Sequence, residues 1–270
     1  MEKSPKYCLS FLFAFGFSFF YAQPNCKAYL YEGDTLQYKA CSSVENIDEK
    51  FYQFDLRFHS AYDEALKISP KFDYAWREKS VAYLKSGDFI TWKKLIDKAV
   101  ELNPQINLDY RAWCRYQFFR DYEGALKDFE NLEKIRPNNI GHSINGDYDL
   151  YIAKAFCLDA IGQAQKAIET IEKAMQRKDY SVGLYDYYQL GVLYFKQNQY
   201  DKALENFEKQ SKQNDFAENI YYKCKVSKIR NKDYLDLKKL ALKSYDEGKT
   251  MKDGYTHHFN KVYRAQIEEL

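Results

Sequence analysis

Chain breakers are scarce here: 11 glycines and 5 prolines in 270 residues. So little turn chemistry does not suit a loop-rich sandwich of many short strands, nor a Pro- and Gly-rich disordered chain. Net charge is nearly absent, with 41 Lys and Arg against 39 Asp and Glu for a formal +2. That balance lacks the basic excess a nucleic-acid partner demands, so none is expected. Histidine is rare, and the four are His59, His142, His257 and His258. Neighbours such as His257 and His258 cannot share one helical face, and no Cys or acidic cluster lies near them at ligand spacing. The stretch Asn145–Leu150 starts like a calcium loop, but Leu150 stands where the loop glycine belongs and Phe156 where its closing glutamate belongs. It reads as a turn with a helix cap from Asp147. Neither G-x-S-x-G, H-E-x-x-H, G-x-x-x-x-G-K-[ST] nor G-x-G-x-x-G occurs. No catalytic residue, metal or cofactor is therefore expected.

What the chain has in quantity is aromatic rings. Tyr (26) and Phe (19) lift the aromatic share to 18%, within 46% hydrophobic residues overall. Few breakers and many amphipathic rings suit a helical array with a real core. The N-terminus reads separately. Lys3 and Lys6 precede an uncharged run from Tyr7 to Tyr21, the length of a signal-peptide apolar core and short for a bilayer span. Residues 1–22 are expected to be a leader cut after Ala22, leaving an exported chain without a stable membrane span; an uncleaved anchor is the alternative. Tyr21-Ala22-Gln23 at such a junction resembles exported proteins of Bacteroidetes-type bacteria. Beyond the leader, Cys26 and Cys41 lie close together in residues 23–50, a segment without helical periodicity, read as a loop or hairpin. In an oxidising compartment they are the natural disulfide pair. Cys114, Cys157 and Cys224 sit in helical patterns and read as small buried apolar residues.

From Tyr187 to Gln210 the apolar positions Leu190, Gly191, Tyr194, Tyr200, Ala203 and Phe207 are interrupted by Lys196-Gln197-Asn198-Gln199. One helix would not break its stripe in this way, whereas two helices joined by a short polar turn would. The same layout recurs along the chain. Trp92, Ala125, Ala167, Ala203 and Leu237 occupy equivalent places, separated by 33, 42, 36 and 34 residues. A period of about 34 built from helix, turn and helix marks a solenoid, and the longer step holds the turn-rich stretch 138–147. Pro104 and Pro137 end second helices. Gly87 and Gly162 suit the turns within pairs. Small Gly191 and Ala203 let two helices approach closely.

These positions resemble the tetratricopeptide repeat family. Tyr187, Leu190, Gly191, Tyr194, Tyr200, Ala203 and Phe207 follow its pattern in one unit, and Trp76, Tyr83, Gly87, Ala99 and Pro104 in another. The resemblance implies an all-α, right-handed superhelical solenoid of about five to six helix-turn-helix repeats. Residues 51–255 would form the solenoid and residues 256–270 a C-terminal capping helix. Good units are read at about 73–105, 106–147, 148–183 and 184–217, with worn units at either end. It also implies a partner-binding groove lined by the first helix of each pair. By register that groove takes Tyr74, Arg77, Lys85, Tyr110, Arg111, Phe118, Tyr185, Tyr188, Lys196, Tyr222, Lys223 and Arg230. Their cations suggest an extended peptide of acidic character. The carboxylate clamp of chaperone-tail binders is not expected, because Val81, Cys114, Phe156, Val192 and Val226 stand at its asparagine position. The expected function is a non-catalytic scaffold for a protein or peptide in the periplasm or outside the cell. An envelope-assembly or glycan-binding accessory protein is the alternative.

Overall fold

The structure, a computed structural model, describes residues 24–144, 146–252 and 257–270. The proposed leader lies outside them. The fold is all-α: among the described residues there is no strand, only an isolated bridge between His142 and Asp149. The chain separates into two compact units, one ending at Ala82 and the other running from Tyr83 to Leu270. Residues 51–255, expected to form the solenoid, fall partly in each unit.

The first unit begins with helix α1 (Cys26–Tyr31), then α2 (Thr35–Ser43), α3 (Ile47–Lys50) and α4 (Leu56–Ile68). Helix α5 (Asp73–Ser86) follows and crosses the boundary. Residues 24–50, expected to be a loop or hairpin, are thus largely helical. Gly33 turns the chain at φ 80°, and Asp34 caps α2 by accepting from the Gln37 N–H at 2.9 Å. A helix of six residues is too short to show a period in sequence. Here it is pinned to α2 by a Cys26–Cys41 disulfide, with Cα atoms 5.4 Å apart. Ala40, Val44 and Ile47 then join Phe58, Tyr62, Ala65 and Phe72 in one buried cluster.

The second unit contains α6 (Phe89–Leu102), α7 (Pro104–Cys114), which runs into a π-helical turn at Arg115–Phe119, and α8 (Tyr122–Ile135). Next come α9 (Leu150–Ala160), α10 (Ala164–Met175), α11 (Asp186–Lys196), α12 (Tyr200–Gln213), α13 (Ala217–Ile229), α14 (Leu235–Asp246) and α15 (Arg264–Glu268). Four pairs pack helix on helix: α7 with α8, α9 with α10, α11 with α12, and α13 with α14. Each pair also packs on the next, so one core runs from Val100 to Val226. The worn unit expected after residue 217 is therefore a complete pair, α13 with α14. Within these pairs the turn rests on one left-handed residue: Arg120, Gly162, Asn198 and Asn231, with φ between 52° and 81°. Glycine is one solution among several, which is why the glycine pattern faded toward the C-terminus. Pro104 opens α7 as well as following α6. The pair α11 and α12 meets as closely as its small residues allow. A Cβ on Gly191 would lie 2.5 Å from the Phe207 ring.

Two readings are corrected. Asp149, not Asp147, caps α9, accepting from the Tyr151 N–H at 2.9 Å; it is buried against Arg177. The last helix does not occupy 256–270. Residues 253–256 lie outside the described chain, residues 257–263 are not helical, and α15 spans only Arg264–Glu268. Asn260, left-handed at φ 59°, breaks the helix, and Phe259 is drawn away onto other rings.

Candidate functional site

The first helices α7, α9, α11 and α13 present a row of side chains on one face of the second unit. Of the residues expected there, Tyr110, Tyr185 and Tyr188 are buried, Tyr222 is half-buried, and Phe118 is exposed. Tyr74 and Arg77 belong to the first unit, where Tyr74 packs against Phe72 and Tyr62. Lys85 is exposed at the end of α5.

The expected basic character of this face is corrected by ion pairing. Arg111 grips Asp128 with two nitrogens at 2.9 and 2.7 Å and reaches Asp97 at 2.8 Å. Arg115 adds a further bond to Asp128 at 2.9 Å. Burial opposes the Arg111 charge, yet the carboxylates win and hold its pKa above the usual value. These cations fasten α6, α7 and α8 to one another. Lys196 pairs with Asp159 at 2.7 Å and Arg230 with Asp201 at 2.7 Å, each bridging successive helix pairs. Lys223 bonds Ser211 at 2.9 Å, with Glu208 and Asp215 nearby. Spacing alone does not show that the charge is already spent on neighbours.

What covers the aromatic face is the chain itself. Residues 257–262 cross the first helices in irregular, non-helical form. The Phe259 ring stacks on Phe156 with centroids 5.1 Å apart and planes at 9°, and on Tyr116 at 5.4 Å and 18°. Tyr122 meets its edge at 6.2 Å, and the Arg120 guanidinium lies over it at 4.8 Å. The main chain is held by polar side chains of α11. Gln189 Nε2 donates to the Phe259 carbonyl at 2.9 Å, and the Tyr188 hydroxyl donates to the Asn260 carbonyl. The Asn260 amide donates back to Gln189 Oε1 at 2.7 Å. His258 Nδ1 shares a 2.7 Å hydrogen bond with the Tyr148 hydroxyl. Upstream, Glu218 on α13 accepts from the Met251 N–H with both carboxylate oxygens at 3.2 Å, and the Lys252 N–H donates to the Tyr185 hydroxyl at 3.3 Å.

The floor beneath is sealed. Tyr116, Phe156, Tyr188 and Gln189 are each at most 1% exposed, whereas His258, Phe259 and Asn260 above them remain partly open. Burial drives the Tyr116, Tyr148 and Tyr188 phenols well above their ordinary pKa, so all three stay neutral hydrogen-bonding groups. Burial also lifts the Glu218 carboxyl to about 7. Among the described residues the cysteines outside the disulfide, Cys114, Cys157 and Cys224, are buried, and burial pushes the Cys157 thiol up to about 12, the state of an inert packing residue.

Sequence reading missed Gln189, Tyr148, Tyr116 and Phe259. Gln189 follows Tyr185 by four residues and so shares its helical face, but a glutamine there carries no motif. Phe259 lies 103 positions after Phe156, and no local pattern joins them.

Comparison with known proteins agrees with this geometry. The tetratricopeptide repeat model matches residues 74–106 and 187–215. Hsp70-Hsp90 organizing protein 2 of Arabidopsis thaliana is 26% identical over 118 residues, covering 43% of this chain and 19% of its own length. Hsp70-Hsp90 organizing protein of Triticum aestivum is 30% identical over 79 residues, covering 29% and 14%. The matched stretch thus spans a fifth or less of these relatives. Among solved structures, PilW, described as a widely conserved type IV pilus biogenesis factor, superposes with a TM-score of 0.55 at 15% identity, over 78% of this chain and 94% of its own. Pseudomonas aeruginosa pilF gives 0.54 at 14% identity, over 82% and 87%. Identities this low speak for the fold. At residues 74–106 and 187–215 the chain is similar to tetratricopeptide repeats, and the helix pairs described above have the fold of such repeats.

Proposed function

We propose that this chain is a non-catalytic scaffold that binds a polypeptide along the first-helix face of α9, α11 and α13, and that it works outside the cytoplasm. One observation carries the reading: that face already grips a stretch of polypeptide. Gln189 and Tyr188 address main-chain carbonyls, and Tyr116 and Phe156 both stack against an aromatic side chain. Such contacts recognise an extended peptide on a preformed surface. Tetratricopeptide repeats suit a protein-interaction role, and the two relatives are named as organizing Hsp70 and Hsp90. The Cys26–Cys41 bond supports an oxidising location, in keeping with the leader expected at residues 1–22. A glycan-binding role would need open aromatic platforms, and Tyr185 and Tyr188 are buried. The test is photo-cross-linking of the full chain in an envelope extract, with cross-links mapped by mass spectrometry. The expected result is one polypeptide attached at the first-helix face. Cross-links confined to α10, α12 and α14, or none to any polypeptide, overturn the reading.

A further inference from the structure

We propose that residues 258–260 are an internal occupant of the recognition face, and that the external partner displacing them is an extended peptide presenting a phenylalanine-type ring to Tyr116 and Phe156. The inference rests on the scaffold reading above and deepens it by naming the ligand chemistry and its competitor.

Three features distinguish this segment from an ordinary cap. First, its contacts are those of a bound peptide. Side chains of the helices reach its backbone carbonyls, and one ring enters a three-ring stack. Second, Gln189 is fully buried in an aromatic core, where an unsatisfied amide is costly. Both ends of its amide are satisfied by the segment, the nitrogen by the Phe259 carbonyl and the oxygen by the Asn260 side chain. The carbonyl is one that any polypeptide backbone offers, whereas the amide N–H comes from a side chain, so the site reads chain as well as side chain. Third, the lasting anchor lies elsewhere. Val262 and Ile267 are buried with Ala217, Ile220 and Ala241 on α13 and α14. The Leu270 carbonyl accepts from the Tyr234 hydroxyl at 3.2 Å. Release of His258, Phe259 and Asn260 therefore does not require undocking of α15.

The ring is the specific element. Phe259 touches Tyr116, Tyr122, Phe156 and Arg120 together, and a partner lacking an aromatic there leaves those faces uncovered. Because the internal segment is tethered, it competes at an effective concentration on the order of millimolar. The intact chain is accordingly expected to bind weakly until a better-matched peptide, or one with further contacts, takes its place.

The experiment uses the full chain and a fluorescent heptapeptide of the sequence His-His-Phe-Asn-Lys-Val-Tyr, with binding read by polarisation. Phe259→Ala empties the stack. Asn260→Gly keeps the left-handed backbone but removes the bond to Gln189, and serves if the first variant folds poorly. Both variants are expected to bind the peptide at least tenfold more tightly than the unaltered chain, and neither binds a peptide with alanine at the phenylalanine. Equal affinity for all three proteins, binding by none, or indifference to the peptide's ring overturns the inference. Failure of the two readings is separable. A polypeptide captured from the extract that the heptapeptide does not displace leaves the scaffold reading standing and ends this one. A tenfold gain with no polypeptide captured does the reverse.

Discussion

At the scale of single residues, the site is made from groups whose burial changes what they can do. Glu218 shows this most plainly. Burial lifts its carboxyl from 4.5 to about 7, against the opposing pull of its backbone bond to Met251. Between those two values the folded protein keeps a proton that the unfolded chain has lost. Its contribution to stability is therefore greatest below pH 4.5, declines as pH rises toward 7, and is level above that. The lost increment is on the order of 3 kcal/mol. Urea unfolding of Glu218→Gln across this range should show a flatter pH dependence than the unaltered chain; an unchanged slope would place the titration elsewhere. Tyr188 teaches a related lesson. Register nominates it for the first-helix face, yet it is 0% exposed. Truncating it would remove core, so it is not a clean surface probe.

At the scale of elements, the repeat pattern was legible because it states how closely two helices meet. Gly191 and Ala203 were readable as contact points, and Gly191 indeed faces the Phe207 ring. Gly191→Ala should destabilise the protein by about 1–3 kcal/mol, since an added methyl in a packed interior forces the ring or the helices to shift. Chemical denaturation measures this, and a cost below a few tenths would mean the pair has slack there. The turn through Asn198 was legible from its polar run, but a left-handed residue was marked in the sequence only where it was glycine. Asn198, Asn231 and Arg120 adopt the same left-handed backbone without that marker. The short helices α1 and α2 were hidden for another reason: they owe their place to a disulfide and to burial against α4 rather than to a period of their own.

At the scale of the molecule, two units share one chain, and each should answer to its own perturbations. Replacing Cys26 and Cys41 by serine releases a short loop, with an expected loss of about 3 kcal/mol by the chain-entropy estimate. Hydrogen exchange should then quicken in residues 24–82 and stay unchanged in α9 to α14. Equal acceleration in both would show that they unfold as one. The repeat face also has a different status at this scale. Its cations hold neighbouring helices together, and its rings are occupied by a segment from the far end of the chain.

The sequence by itself determined the helix pairs, their period of about 34 residues and the close approach at Gly191. Each depends on side chains three, four or a few tens of residues apart, within reach of local physics. It also nominated the face made by first helices. Only the tertiary structure decided what stands on that face. Stacking Phe259 on Phe156, pairing Arg111 with Asp128 and bonding Gln189 to a passing main chain all join residues that are distant in sequence. Such contacts follow from how the stacked helices bring remote surfaces together, and a periodic pattern carries no record of them.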